Sequence, residues 1–344
     1  MENQAAADAV IFHMPNYHWE RYSRPQVRTP SQNWIFMSYE TATNVRIRSR
    51  RSSKSVGDKF QLGAKYPAIN WSELNGVFNR TFSFRRDADA TVSHGYSEKM
   101  SDDEVSSMPV RPKWSDKFDN YTKHNFNSPV HAGVAPVVWF VSHCRSESGR
   151  DRYVRKLAQH IGVHIYGKCG NIKCGQDRRL RNPYQVDTDP CFDLVNKEYK
   201  FYLSLENDIC NDYITEKAFN ALKLDTIPIL LTGADINSTL PPNSVIDALK
   251  FAPEELADYL YLLLQRPEMF LSYFSWRSQY RVVSHQSVPS PCSLCQALHS
   301  PQWTVSKTYT DMQSWFNTKS GCRSWDGVYP REEKRKRRRR RREK

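Results

Sequence analysis

In the second half of the chain, short unbroken apolar runs alternate with stretches whose apolar positions recur at helical spacing. Residues 137–141 (VVWFV), Val163–Tyr166, Phe201–Leu205 and Ile227–Leu231 are too short for helices and read as buried strands. Between the first two, Tyr153, Val154, Leu157, Ala158 and Ile161 share one face of a helix predicted over 149–161. A second helix is predicted over Pro253–Gln265, opening on proline and keeping its leucines on one side. Strands alternating with helices predict a parallel, doubly wound α/β sheet. The first half is less regular. Residues 10–13 and 34–38 read as strands, the basic, serine-rich stretch 46–59 as an exposed loop, and 101–127 as a link between the halves. The aromatic-rich 270–325 is expected to cross back onto the first half.

The stretch 201–223, FYLSLENDICNDYITEKAFNALK, carries the candidate chemistry. The strand Phe201–Leu205 breaks at a polar turn, 206–212, and resumes as a helix with Ile214, Phe219 and Leu222 on one side. Thr215, Glu216 and Lys217 stand early in that helix. A strand end leading into a helix start is where open α/β sheets bind nucleotides, because the free N–H groups and the helix dipole favour an anion. A lysine there suits a diphosphate and a glutamate suits ribose hydroxyls, so the pattern predicts a nucleotide-sugar site.

Composition narrows the choice. At 344 residues two domains are expected, and 39% hydrophobic with 12% aromatic residues describes a globular chain. The formal charge of +13 suggests a polyanion partner, but residues 331–344 hold eleven basic and three acidic side chains, and the other 330 residues are only +5. That tail reads as a solvated terminus, so nucleic acid is not an expected partner; a tail-driven nucleic-acid binder is the rival reading. Eight cysteines, with sequons at Asn70, Asn79, Asn120 and Asn237, favour a lumenal protein with disulfides over a zinc protein. Cys144 and Cys210, both placed at carboxyl ends of strands, are one plausible pair. No apolar run reaches 18 residues and the first residues lack a signal-peptide core.

The 201–223 stretch resembles the signature of the α1,3/4-fucosyltransferases, which use GDP-fucose. Further blocks match in order: ADAVIFH at 7–13, WIFMSYET at 34–41, FNRTFSFRRDADA at 78–90, WFVSHC at 139–144, VHIYGKCG at 163–170 and CSLC at 292–295. The resemblance implies a GT-B arrangement of two facing Rossmann-like domains, the first shortened at its N-terminus. The expected divisions are an acceptor-side domain at 1–130, a donor domain at 131–285, a returning segment at 286–330 with a cysteine pair, and the basic tail 331–344. It also implies Golgi localisation, the family's membrane anchor being absent from this sequence. The implied reaction is inverting transfer of fucose to a GlcNAc hydroxyl of a glycan, such as those on glycoproteins. By match to the family's motifs, Glu40 is the general base; on pattern alone it is a surface carboxylate at a strand end. Lys217 and Arg150, the latter flanked by Arg145 and Arg152, would stabilise the departing GDP. Ser142, Asn207, Tyr213 and Glu216 are assigned to the donor and His13 to the acceptor side. Two departures stand out, Thr41-Ala42 after Glu40 where the family has Ser-Pro, and His143 in place of asparagine. No cofactor or metal is expected, and the triplets Asp87-Ala88-Asp89 and Asp187-Thr188-Asp189 read as ordinary acidic loops. The alternative is a catalytically impaired nucleotide- or glycan-binding member of the fold.

Overall fold

The computed structural model describes residues 6–14, 28–43, 45, 70–107, 135–174, 189–284, 291–305 and 307–328. The loop expected at 46–59, most of the expected link at 101–127, Asn120, Asp187-Thr188 and the basic tail lie outside these residues. The chain divides into two units. The first comprises the described residues within 1–93, Cys210–Tyr213 and those within 288–322. The second comprises those within 94–209, 214–287 and 323–344. The division near residue 130 expected from the sequence thus falls at Ser93 instead, and Tyr280–Ser284, expected to return to the first half, belongs to the second unit.

In the first unit, β1 (Ala9–His13), β2 (Asn33–Ser38), β3 (Arg80–Ser83) and β4 (Ala90–Thr91) form a parallel sheet in that order. Successive side chains point to opposite faces of a strand. Phe12, Trp34 and Phe36 accordingly join Phe78, Phe84, Trp315 and Phe316 on one face, while Ile35, Phe82 and Ala90 meet Leu294 and Trp303 on the other. The C-terminal segment therefore covers both faces of this sheet. Two polar residues of the 78–90 block are structural. The Asn79 carboxamide accepts from Trp34 N at 2.7 Å and donates to Gln32 O at 3.3 Å. The buried Arg80 guanidinium donates to the carbonyls of Asn79, Trp303 and Val305 at 2.7, 2.6 and 2.6 Å. The first acidic triplet is engaged as well. Asp87 takes a two-pronged pair from Arg85 at 2.7 Å per bond, and Asp89 accepts from Thr81 N, Tyr309 Oη and Lys307 Nζ at 2.8–2.9 Å.

In the second unit, β6 (Val137–Phe140), β7 (Val163–Tyr166), β8 (Phe201–Leu205), β9 (Ile227–Leu231) and β10 (Ile246–Asp247) form an all-parallel sheet in the order β10-β9-β8-β6-β7. Val137, Trp139, Phe201, Leu203, Ile227 and Ile229 pack against α1 (Arg150–Leu157) and α4 (Pro253–Gln265). On the opposite face Val138 meets α2 (Pro190–Glu198), and Leu230 meets α3 (Glu216–Ala221). Helices on both faces make this unit a doubly wound α/β domain. Strand β5 (Gly95–Lys99) pairs antiparallel with β11 (Tyr280–Ser284). Gly95 is required there, since a Cβ would stand 2.4 Å from Phe219 Cγ of α3. Asp102–Ser107, expected as linker, is a short helix whose side chains are not buried. Asp189 of the second triplet caps α2, accepting from Cys191 N at 2.9 Å.

Three disulfides form among the described residues: Cys144–Cys169, Cys174–Cys191 and Cys210–Cys322. The expected Cys144–Cys210 pair is therefore wrong. Cys144 follows β6 and Cys169 follows its neighbour β7, with Cys169 N donating to Val141 O at 3.2 Å, so these two loops run together. Cys210 belongs to the first unit, where Asn211 N donates to Ser320 O at 2.8 Å beside Cys322. Cys292 and Cys295 are exposed and lie outside these three disulfides. Cys210–Cys322 closes a separation of 112 residues. Cys210→Ser combined with Cys322→Ser is expected to lower the unfolding free energy by about 2–4 kcal/mol in urea titration, and an unchanged midpoint would contradict this.

Candidate active site

The turn after β8 is organised by a group that sequence reasoning did not single out. Glu206 is 1% exposed. Its carboxylate accepts from Thr215 N at 2.8 Å, from Thr215 Oγ1 at 2.9 Å and from Lys217 Nζ at 3.2 Å. Its own amide donates to Leu231 O at 3.1 Å, and its carbonyl accepts from Ser148 Oγ at 2.8 Å. One residue thereby joins the ends of β8 and β9, the entry to α1 and the entry to α3. Thr215 is the extended N-cap of α3, so helix α3 starts at Glu216, and Ile214, placed on the helix by the sequence pattern, precedes it. Ile214, Phe219 and Leu222 still enter one cluster.

Lys217 thus stands at the helix start, in the first turn of α3. Its ammonium donates to Thr215 Oγ1 at 2.8 Å and to Glu216 Oε1 at 3.4 Å besides Glu206. Its side chain is 29% exposed, so the cation is anchored from below and reaches solvent. Burial pushes the Glu216 carboxyl upward, but the Lys217 ammonium and then the His94 imidazole beside it hold it below its usual value. His94 Nδ1 lies 3.5 Å from Glu216 Oε2. Two buried atoms here, His94 Nε2 and Asn207 Oδ1, have no hydrogen-bond partner among the described residues. His94 is therefore a second residue the sequence reading did not single out; nothing in its pattern sets it apart from a loop histidine.

Arg150 is deeper than a solvated helix-start arginine. It is 4% exposed, its Nη1 donates to Leu205 O at 2.5 Å and its Nη2 to His143 O at 3.0 Å, and the guanidinium lies over Trp139. Gly149 before it has φ +68°, a left-handed conformation that lets the chain turn into α1 at little cost. Arg150 and Lys217 are thus brought to consecutive residues, Leu205 and Glu206, at the carboxyl end of one strand. Of the neighbouring arginines, Arg145 is exposed and Arg152 pairs with Asp326 at 3.3 Å. Ser142 and His143 lie exposed in the loop after β6, and Asn207 O accepts from Ser148 N at 2.9 Å. Lys200, at the other end of β8, is a core residue whose ammonium burial pushes down to about 6.

The acid assigned as base lies in the first unit. Glu40 follows β2, its carbonyl accepting from Ser38 Oγ at 2.7 Å. Burial holds the His13 imidazole below its usual value, with the Glu40 carboxylate acting in the opposite direction. The His13 ring stacks obliquely on Tyr39 at 5.2 Å. Tyr213, assigned to the donor by its motif, is hydrogen-bonded to Glu40. It is buried in the first unit, and its hydroxyl donates to Glu40 Oε2 at 2.9 Å. No group of three or more metal-ligating side chains occurs among the described residues.

Residues 132–315 match the family described as glycosyltransferase family 10 (fucosyltransferase), C-terminal part, and residues 2–95 match the fucosyltransferase N-terminal family. Alpha-(1,3)-fucosyltransferase C of Drosophila melanogaster is 31% identical over 313 residues, covering 90% of this chain and 65% of the fly protein. Glycoprotein 3-alpha-L-fucosyltransferase A of the same organism is 32% identical over 301 residues, 83% of this chain and 53% of that protein. GDP-fucose protein O-fucosyltransferase 3 of Canis lupus familiaris is 34% identical over 203 residues, 58% of this chain and 41% of that protein. The chain spans between half and two thirds of the length of the two fly relatives. A crystal structure of an alpha1,3-fucosyltransferase with GDP-fucose superposes with a TM-score of 0.45 at 16% identity, covering 86% of this chain and 79% of that one. The two family matches, one of them over more than half of the residues, show that the chain belongs to glycosyltransferase family 10, the fucosyltransferases.

Proposed function

We propose that the chain transfers fucose from GDP-fucose to a GlcNAc hydroxyl of a glycan, with inversion at the sugar carbon and formation of an α1,3 linkage. The observation that carries this reading is the Lys217 ammonium fixed at the start of α3, with Arg150 on the preceding carbonyl of the same strand end. Helix starts favour anions, and a lysine held there is suited to a diphosphate. Turning from Glu216 toward phosphate oxygens, Lys217 leaves the Glu216 carboxylate to the ribose hydroxyls. His94 Nε2 and Asn207 Oδ1, which have no partner among the described residues, are satisfied when donor hydroxyls reach them, since buried polar atoms rarely stay unpaired. Ser142 completes the donor contacts from the loop after β6. The names of the fly relatives support fucose as the transferred sugar and the 1,3 linkage.

In this mechanism Glu40 takes the proton of the acceptor hydroxyl as its oxygen bonds to the anomeric carbon of fucose. The bond from that carbon to the phosphate oxygen breaks, and its electron pair leaves with GDP. Lys217 neutralises the growing charge directly, and the buried Arg150 adds its charge from beneath the loop. His13, whose imidazole burial holds below its usual pKa, lines the acceptor side. The two cations carry the role that a divalent ion has elsewhere, so transfer is expected to persist in EDTA. Three disulfides suit an oxidising compartment, in line with action on glycoproteins in the Golgi. The likeness to a protein O-fucosyltransferase favours a second reading of the acceptor, a hydroxyl of a protein side chain.

Incubation with GDP-fucose and a panel of GlcNAc-containing glycans and glycoproteins, read by mass spectrometry, is expected to give a product carrying one added fucose. Binding of GDP without product from any acceptor would leave a binding protein of the same family. Glu40→Gln should lower kcat by about 10²- to 10⁴-fold while GDP affinity stays within twofold of wild type, and undiminished turnover removes Glu40 from the base role. Lys217→Ala should weaken GDP by about 10- to 100-fold in calorimetric titration and leave guanosine unaffected, an equal loss for both ligands arguing against a diphosphate contact.

A further inference from the structure

We propose that Asn237 carries an N-linked glycan whose first sugar, a β-linked N-acetylglucosamine, lodges in a cavity of the second unit against Phe251 and Tyr259. The modification rests on the oxidising compartment read above from the disulfides. Asn237-Ser238-Thr239 has the hydroxyl two residues on that the attachment signal requires. Asn237 is exposed in the short helix Ile236–Thr239, which follows β9. Asp235 fixes that turn, its carboxylate accepting from Asn237 N at 3.1 Å and its carbonyl from Thr239 Oγ1 at 2.7 Å. The Asn237 carboxamide makes no hydrogen bond among the described residues, so its nitrogen can be substituted without breaking a contact of the fold. On attachment that nitrogen bonds to the anomeric carbon of an oligosaccharide carried on a lipid diphosphate. The bond from the carbon to the diphosphate oxygen breaks, its electron pair leaves with the diphosphate, and one amide proton passes to the transferring enzyme.

Asn237 lines a cavity of about 470 Å³ at the β10 edge of the sheet, within the size range of small-ligand sites. Phe251 and Tyr259 line it as well, half-buried and stacked with ring centroids 5.3 Å apart. Tyr259 Oη shares a hydrogen bond of 2.7 Å with Tyr273 Oη, also in the wall. Asp247, the last residue of β10, adds a carboxylate. Its Oδ1 accepts from Leu249 N at 3.0 Å, while Oδ2 accepts no hydrogen bond among the described residues. Burial pushes this carboxyl above its usual value, although the Leu249 amide and the Lys250 ammonium act in the opposite direction. An unfilled oxygen in a partly dry place gains from a hydroxyl donor. A β-linked N-acetylglucosamine carries its ring substituents equatorially and axial C–H bonds on both faces. The C–H faces suit the aromatic pair, and the hydroxyls at the rim suit Asp247 and the tyrosines. Because the sugar is tethered at the cavity wall, its effective concentration there is high and weak contacts suffice to seat it.

The full chain, expressed through the secretory route of cells that make high-mannose glycans, is expected to yield in mass spectrometry a peptide with a glycan on Asn237. Thermal melts test the seating. Asn237→Gln is expected to melt about 2–4 °C below the glycosylated chain. Trimming with an endoglycosidase that leaves only the first sugar is expected to keep the midpoint of the intact glycoprotein. Asp247→Ser retains an oxygen for the Leu249 amide, so it is expected to lower the midpoint of the glycosylated chain and not that of Asn237→Gln. A bare Asn237 beside a glycan on another sequon of the chain overturns this inference alone. No glycan on any sequon overturns the compartment reading and this inference with it. A modified Asn237 with equal midpoints for the glycosylated and Asn237→Gln chains, a loss that already appears on trimming, or an equal effect of Asp247→Ser in both backgrounds places the sugar outside the cavity and overturns the seating.

Discussion

A single buried carboxylate governs the second unit. Glu206 has almost no contact with solvent, and a charge in that position is tolerable only if its oxygens are filled. The Thr215 amide and hydroxyl and the Lys217 ammonium fill them. Removing either Thr215 or Lys217 would leave an under-compensated charge in the protein, so the conformation of the β8–α3 turn is over-determined by electrostatics. The backbone of the same residue ties in β9 and the approach to α1. Lys217 is consequently placed before any ligand arrives, and the entropy of ordering a long lysine side chain is spent during folding rather than at binding.

This arrangement also sets the charge balance of the site. Lys217 faces two carboxylates, those of Glu206 and Glu216, with His94 next to the second. The cluster is not a bare positive patch but a compact ion-pair network in which one acid is fixed in the interior and the other lies near the surface. A polyanion would find little to attract it there. A ligand that brings an anion for the lysine and hydroxyls for Glu216 at once satisfies both members, which is the chemistry of a sugar nucleotide.

Much of the second unit was legible in the sequence. Val163–Tyr166, Phe201–Leu205, Ile227–Leu231 and Pro253–Gln265 have the expected ends, because each is an apolar run or an amphipathic period bounded by turn residues. Strands β1 and β2 of the first unit were legible to within a residue, whereas β3 and β4 were not read as strands, and the segment that covers the sheet comes from far along the chain. What was not legible depends on contacts distant in sequence. Cys144 bonds to Cys169 because β6 and β7 are neighbours in the sheet, a fact of topology rather than spacing. Arg150 has the spacing of a helix-start arginine, yet the closeness of the His143 and Leu205 carbonyls draws it inward. Tyr213 sits in the middle of the nucleotide-site signature, and its place beside Glu40 follows only from the turn on which Cys210–Tyr213 folds into the first unit. Glu206 looked like one of several polar turn residues, since sequence pattern does not register burial of a charge.

The bond between Cys210 and Cys322 holds the turn that presents Tyr213. The covalent staple closes a separation of 112 residues, and it forms only where thiols are oxidised. Completion of this part of the first unit is thereby coupled to an oxidising environment. A polypeptide kept in reducing surroundings would keep the turn's hydrogen bonds and ring packing but fold without this covalent support.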